Sequence, residues 1–306
     1  RTLNNAGTAL DIDLGTDLIV GIAGGGQLTL NPSTVLSIEA NELRINGNLA
    51  ENTGTIRGSN VSELYIGGQD VLTGTLKFTS GSRLLDQFTI NRTGATAIAR
   101  LGTDLTLDGT TTPNSLTLIA GRVTTTIANL LTLNGSALVT GATYTDGGTS
   151  GGSTASYING PIAKVFTSDL GTYRFPIGKN STFLEAGVKD MNSFPTTFRA
   201  EYFDNVFSNV TDADIRAYDT TDPRYIQRVS KLEYWDIDRT NASSTARIVL
   251  HWDISSDVNQ PLYIKVGHYH NSGDGFNLWE AEGLSGIAVG TATAGYHISD
   301  QAADVF

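Results

Sequence analysis

Gly-Thr-Asp-Leu-Thr-Leu-Asp-Gly (Gly102–Gly109) states the rule of the first half of this chain. A polar residue precedes Leu, a second polar residue precedes an aliphatic one, and Asn, Asp or Gly closes the segment. Asn-Glu-Leu-Arg-Ile-Asn-Gly (Asn41–Gly47), Ser-Glu-Leu-Tyr-Ile-Gly-Gly (Ser62–Gly68) and Asn-Leu-Leu-Thr-Leu-Asn-Gly (Asn129–Gly135) repeat it. Shorter versions stand at Gly15–Val20, Gly26–Pro32, Gly74–Phe78, Gln87–Asn91 and Asn114–Leu118. Residues two apart share one face of a strand, so Leu43 and Ile45, or Leu105 and Leu107, make an apolar face with polar residues opposite. Strands this short cannot bury that face alone and must stack on copies of themselves. Gly and Asn at the strand ends suit corners that need a positive φ.

Residues 1–142 are therefore expected to form a right-handed parallel β-solenoid. Leu18, Leu28, Leu43, Leu64, Leu76, Leu105, Leu116 and Leu131 are its anchors, with every second anchor about one coil apart. A β-sandwich of short hairpins is the alternative arrangement of the same strands. Residues 143–156 are low in complexity and almost free of apolar side chains, which marks a linker or a wide surface loop. Beyond them the aromatic residues concentrate, and strand-like runs recur between turns. That pattern predicts an antiparallel β-sandwich over residues 157–306, with Trp235, Trp252 and Trp279 as core anchors. The whole chain is thus read as all-β.

Composition narrows the function. The 306 residues carry a formal net charge of −11, with no cluster of Lys and Arg to meet nucleic acid or an anionic membrane. Cysteine is absent, which removes disulfides, thiolate zinc sites and thiol nucleophiles. No apolar run reaches the length of a membrane span. Arg1-Thr-Leu-Asn-Asn reads as the middle of a repeat, so a mature form or a segment of a longer protein is expected.

Four stretches carry a family resemblance. They are Ser-Tyr-Ile-Asn-Gly-Pro-Ile-Ala-Lys (Ser156–Lys164), Tyr-Arg-Phe-Pro-Ile-Gly-Lys (Tyr173–Lys179), Leu-Glu-Tyr-Trp-Asp-Ile-Asp-Arg (Leu232–Arg239) and Ala-Arg-Ile-Val-Leu-His-Trp-Asp (Ala246–Asp253). The second region resembles a module of large secreted and cell-surface proteins of the Bacteroidota, many of them exported by the type IX secretion system. Thr/Leu/Asn/Gly repeats often precede such modules, so the resemblance extends over nearly the whole chain. It implies export, surface display and an adhesive or structural role, and no catalytic residue set.

Several groups of residues carry the chemistry of a site. Asp212, Asp214, Asp219 and Asp222 crowd one segment and are a calcium candidate, although the glycine and terminal Glu of an EF-hand loop are missing. A solvated acidic loop is the competing reading. His268 and His270 share a strand face, and with His251 and Asp253 could hold zinc or copper. Asp11 with Asp13, and Asp104 with Asp108, are the carboxylate pairs that hydrolysis of a polysaccharide would need, but they fill repeat positions also filled by Thr, Gln and Ser. Tyr234, Tyr263, Tyr269 and Trp279 could contact a glycan, with Trp235 and Phe276 nearby in sequence; packing in a core is the competing role.

The sequence thus points to a non-enzymatic extracellular structural protein without a cofactor, calcium apart. Its expected partners are copies of itself, joined head to tail, or neighbouring domains of a longer chain, and glycans. A carbohydrate-binding adhesin module is the second reading and a β-helix polysaccharide-degrading enzyme the third.

Overall fold

The computed structural model describes residues 2–3, 10–21, 25–50, 54–207, 226, 228–271, 277–282 and 287–299. Among them there is no α-helix; strands, turns and two short 3-10 segments make up the fold. The chain divides into two compact units, Arg1–Thr143 with Thr149–Thr167, and Tyr144–Gly148 with Ser168–Phe306.

The first unit is a β-solenoid of about five turns. Its strands lie in parallel stacks. One stack runs through Leu18–Val20, Glu42–Ile45, Glu63–Ile66, Gln87–Asn91 and Asn114–Thr124, with Leu18, Leu43, Leu64, Phe88 and Leu116 in register. A second holds Thr2–Leu3, Gln27–Leu30 and Asn48–Leu49 in one ladder and Gln69–Leu76, Thr93–Leu101, the end of Asn114–Thr124 and Ser156–Asn159 in the next, with Gln69–Leu76 packed beside Asn48–Leu49. A third holds Leu10–Asp13, Thr34–Ser37 and Thr55–Arg57, from which Ile56 bridges on to Phe78, and a further parallel ladder runs through Leu84–Leu85, Leu105–Leu107, Leu131–Leu133 and Ile162–Phe166. The alternation read from the sequence sets the faces: Leu43, Ile45, Leu64, Ile66, Phe88, Leu105 and Leu107 are all fully buried. Each turn consumes one strand from every stack, so the step is three strands rather than every second leucine anchor.

Outside the core, polar side chains form ladders between turns. Gln87 Nε2 donates to Glu63 Oε1 (3.0 Å), Asn91 Nδ2 to Tyr65 Oη (2.7 Å), and the Thr55 and Thr79 hydroxyls meet at 2.7 Å. The Arg44 guanidinium lies 3.8 Å from the centre of the Tyr65 ring. Stacking like residues also brings like charges together. Burial, and then the carboxylates of Glu42, Asp86 and Asp17, push the Glu63 carboxyl up.

One boundary differs from the sequence reading. Ser156–Asn159 and Ile162–Phe166, assigned by pattern to the second module, are parallel rungs of the solenoid. A strand shows the same alternation whether its neighbours run parallel or antiparallel, so the pattern could not separate the two. Residues 143–156 are a hydrogen-bonded loop: Thr143 N donates to Thr149 O (2.9 Å), Thr149 N to Thr143 Oγ1 (2.8 Å), and Ser150 is fully buried.

The second unit is antiparallel. Tyr173–Phe175, Ala186–Lys189, Arg247–Asp253, Ala294–Ile298 and Ile287–Thr291 form a five-stranded sheet in that order. Thr196–Phe203 pairs with Tyr234–Asn241, and Gly267–Asn271 with Asn277–Ala281. Tyr173, Phe175, Val188, Phe198, Tyr202 and Val249 are buried. Trp252 is buried and donates through Nε1 to Thr291 O (2.9 Å), whereas Trp235 and Trp279 are half-buried.

Candidate functional site

Among the described residues, the first solenoid stack ends at the strand Leu18–Val20. Among the described residues it has a strand partner on one side only, Glu42–Ile45. Leu18 is half-buried where its register partners Leu43, Leu64 and Leu116 are fully buried, and Ile19 is 57% exposed. Leu18, Ile19, Val20, Gly21, Gly26, Gln27 and Leu28 line a hollow of about 270 Å3 beside it. Unpaired backbone groups next to apolar side chains are what an added strand would engage.

Of the carboxylates in the repeats, Asp11, Asp104 and Asp108 are held by neighbouring side chains. Asp11 meets the Arg57 guanidinium at 2.6 Å. Asp104 meets Arg83 (3.2 Å), and its Oδ1 accepts from Leu130 N (3.0 Å). Asp108 accepts from the Thr110 hydroxyl. Asp13 is exposed on the same strand as Asp11.

The histidines are distributed over separate sheets. His251 lies in the five-stranded sheet, and its Nε2 accepts from Arg174 Nε (3.0 Å). Burial, and then the Arg174 charge, hold its pKa down at about 3. It is therefore neutral, and the Glu185 carboxylate 3.7 Å away is not its ion-pair partner. Arg174, itself buried, spends its other donors on Thr145 O (2.6 Å) and Asp146 O. Asp146 in turn accepts from Lys189 Nζ (2.7 Å) and the Thr172 hydroxyl (2.6 Å), and these bonds lower its pKa. The network ties Tyr144–Gly148 into the second unit. His268 is on the hairpin Gly267–Asn271, with Nδ1 2.7 Å from Glu282 Oε1. The His270 side chain lies outside the described ones. Asp253 caps the short segment Ile254–Ser256, accepting from Ser255 N (2.7 Å). Among the described residues, no group of three or more His, Asp and Glu side chains is arranged to hold a metal ion. Asp212, Asp214, Asp219 and Asp222 lie outside the described residues, as does Phe276.

The aromatic candidates separate into two kinds. Tyr234 stacks on Phe203 (4.5 Å between ring centres, 2° between planes), and Phe207 meets it edge-on at 5.1 Å. Phe207 also touches Tyr269 (4.9 Å) and Trp279 (5.8 Å). Tyr263 is different: it is 79% exposed, next to Leu262 at 85%, on the short segment Pro261–Tyr263.

The buried side chains of Arg92, Lys164 and Arg174 belong to no site motif in the sequence. Lys164 had a legible signal, since it takes the inward parity of Ile162 and Phe166. No protein-family model matches the chain, and no curated protein or solved structure matches it.

Proposed function

We propose that this chain is a non-enzymatic extracellular structural protein, a subunit or segment of a surface fibre, filament or adhesin that assembles through end-to-end β contacts. In this reading the solenoid is right-handed and acts as a stalk, the antiparallel sheets of the second unit pack as a sandwich, and export to the cell surface follows the Bacteroidota resemblance. The observation that carries it is the strand Leu18–Val20, where stacked rungs meet solvent with one side unpaired among the described residues. A partner that continues the ladder gains backbone hydrogen bonds and covers the hollow. That partner is a second copy or a neighbouring domain of a longer chain.

Electron microscopy and light scattering test the proposal. Filaments with a repeat near one chain length are expected at high protein concentration. Leu18→Lys places a charge at the strand edge and should cut association at least about tenfold, with melting shifted by only a few degrees. A wild-type chain that stays monomeric at high concentration would refute end-to-end assembly.

The exposed ring of Tyr263 favours a second reading, a carbohydrate-binding adhesin module, because an open aromatic face is what a pyranose stacks on. On a glycan array the chain should then bind, and Tyr263→Ala should weaken the binding about tenfold or more. Binding unchanged in the variant would place any glycan site elsewhere.

A further inference from the structure

Alternation alone leaves the register of the solenoid open. Slipping one rung against the next by two residues keeps every Leu and Ile on the inside, since the side-chain period is two. Loop length does not prevent it: side-chain hydrogen bonds between turns link residues 21 apart (Arg83 and Asp104) in one place and 27 apart (Arg122 and Ala95) in another. A group that recognises one register is needed.

Arg92 is placed to do this. It follows the strand Gln87–Asn91, is 3% exposed, and points its donors at backbone carbonyls of earlier turns. Nη1 donates to Gly47 O (3.0 Å), 45 residues back, and also to Gly67 O, 25 residues back. Nε donates to Asp70 O (2.5 Å). The corner is glycine-lined because nothing larger fits. A Cβ on Gly47 would overlap Gly26 O, and one on Gly68 would overlap Asn46 O and stand 3.0 Å from Arg92 Nη1. Planar geometry fixes the directions in which one guanidinium meets several carbonyls, whereas the three donors of an ammonium ion form no such fixed fork.

We propose that the carbonyls of Gly47, Gly67 and Asp70 form a cation cage whose ligand is the chain's own Arg92, and that filling this cage sets the register of successive turns. Lys164 repeats the device near the other end of the solenoid. It is in register with Leu133 and Leu107, so it takes a ladder position otherwise held by leucine, and its Nζ donates to Asn134 O (2.9 Å) and Gly135 O (2.5 Å). Both side chains spend their donors on carbonyls of earlier turns, so each bond exists in one register only.

Chemical rescue tests the cage. Arg92→Ala should lower the melting temperature by about 8 °C and raise amide exchange across residues 44–50 and 66–72. Ethylguanidinium at about 10 mM should restore at least half of the lost temperature, and ethylammonium should not. If Arg92→Ala does not fold, the yield of refolded protein with and without ethylguanidinium is read instead, and no gain would overturn the proposal. Equal effects of the two ions would overturn it, as would an Arg92→Met variant with wild-type melting and wild-type amide exchange.

Discussion

Gly68→Ala is expected to destabilise the solenoid by about 4 kcal/mol or more, which places it among the most damaging single substitutions a domain of this size sustains. Two costs add. Gly68 has φ +87°, a conformation that costs an L residue about 1 kcal/mol. The larger cost is steric. The new Cβ would overlap Asn46 O, a backbone atom of the preceding turn, where the Asn46 N–H is tied to Val20 O (2.9 Å). Relief requires the turns to separate, which breaks ladder hydrogen bonds and opens the column of Leu43, Leu64 and Phe88. Gly141→Ala is the control: its φ is +78°, and nothing lies within 4 Å of its Cβ. It should lose only the conformational cost of about 1 kcal/mol. Chemical denaturation of the two variants decides the matter. Equal losses would mean that the Gly68 corner is not close-packed.

Lys164 should make stability depend on pH in an unusual direction. Its amine is buried, and desolvation holds its pKa down at about 7. In the unfolded chain a lysine titrates near about 10.4. Between those values the unfolded state binds a proton that the folded state does not, so folding stability rises with pH across the window and is flat in this respect below it. If the whole shift is expressed, the rise amounts to about 5 kcal/mol. Lys164→Met fits the ladder of Leu107 and Leu133 and removes the titrating group. The difference in stability between wild type and variant should therefore swing toward the wild type as pH climbs from 7 to 10, while other lysines and tyrosines cancel in the comparison. A difference that stays constant over this range would show that the amine is solvated in the folded protein.

What the sequence determined by itself is local. The alternation in Asn-Glu-Leu-Arg-Ile-Asn-Gly already tells that Leu43 and Ile45 face inward, because strand parity belongs to a few adjacent residues, whereas the need for glycine at Gly47 comes from Gly26 O of the neighbouring turn. Repetition of that wording adds that the strands stack. Everything that depends on which strand lies beside which was decided by the tertiary structure. Three strands per turn, the parallel pairing of Ser156–Asn159 and Ile162–Phe166, and the place of Tyr144–Gly148 in the second unit all rest on pairings between distant residues. Loops of unequal length hide that spacing from the eye. The same holds for individual side chains. Tyr234 and Tyr263 read alike in sequence, yet one is stacked on Phe203 and the other stands open, since burial of a ring is settled by its neighbours in space. Arg92 looks like any surface arginine until the carbonyls of Gly47, Gly67 and Asp70 are seen to converge on it. A cation can be buried only where the fold supplies acceptors, and those acceptors come from turns 25 and 45 residues away.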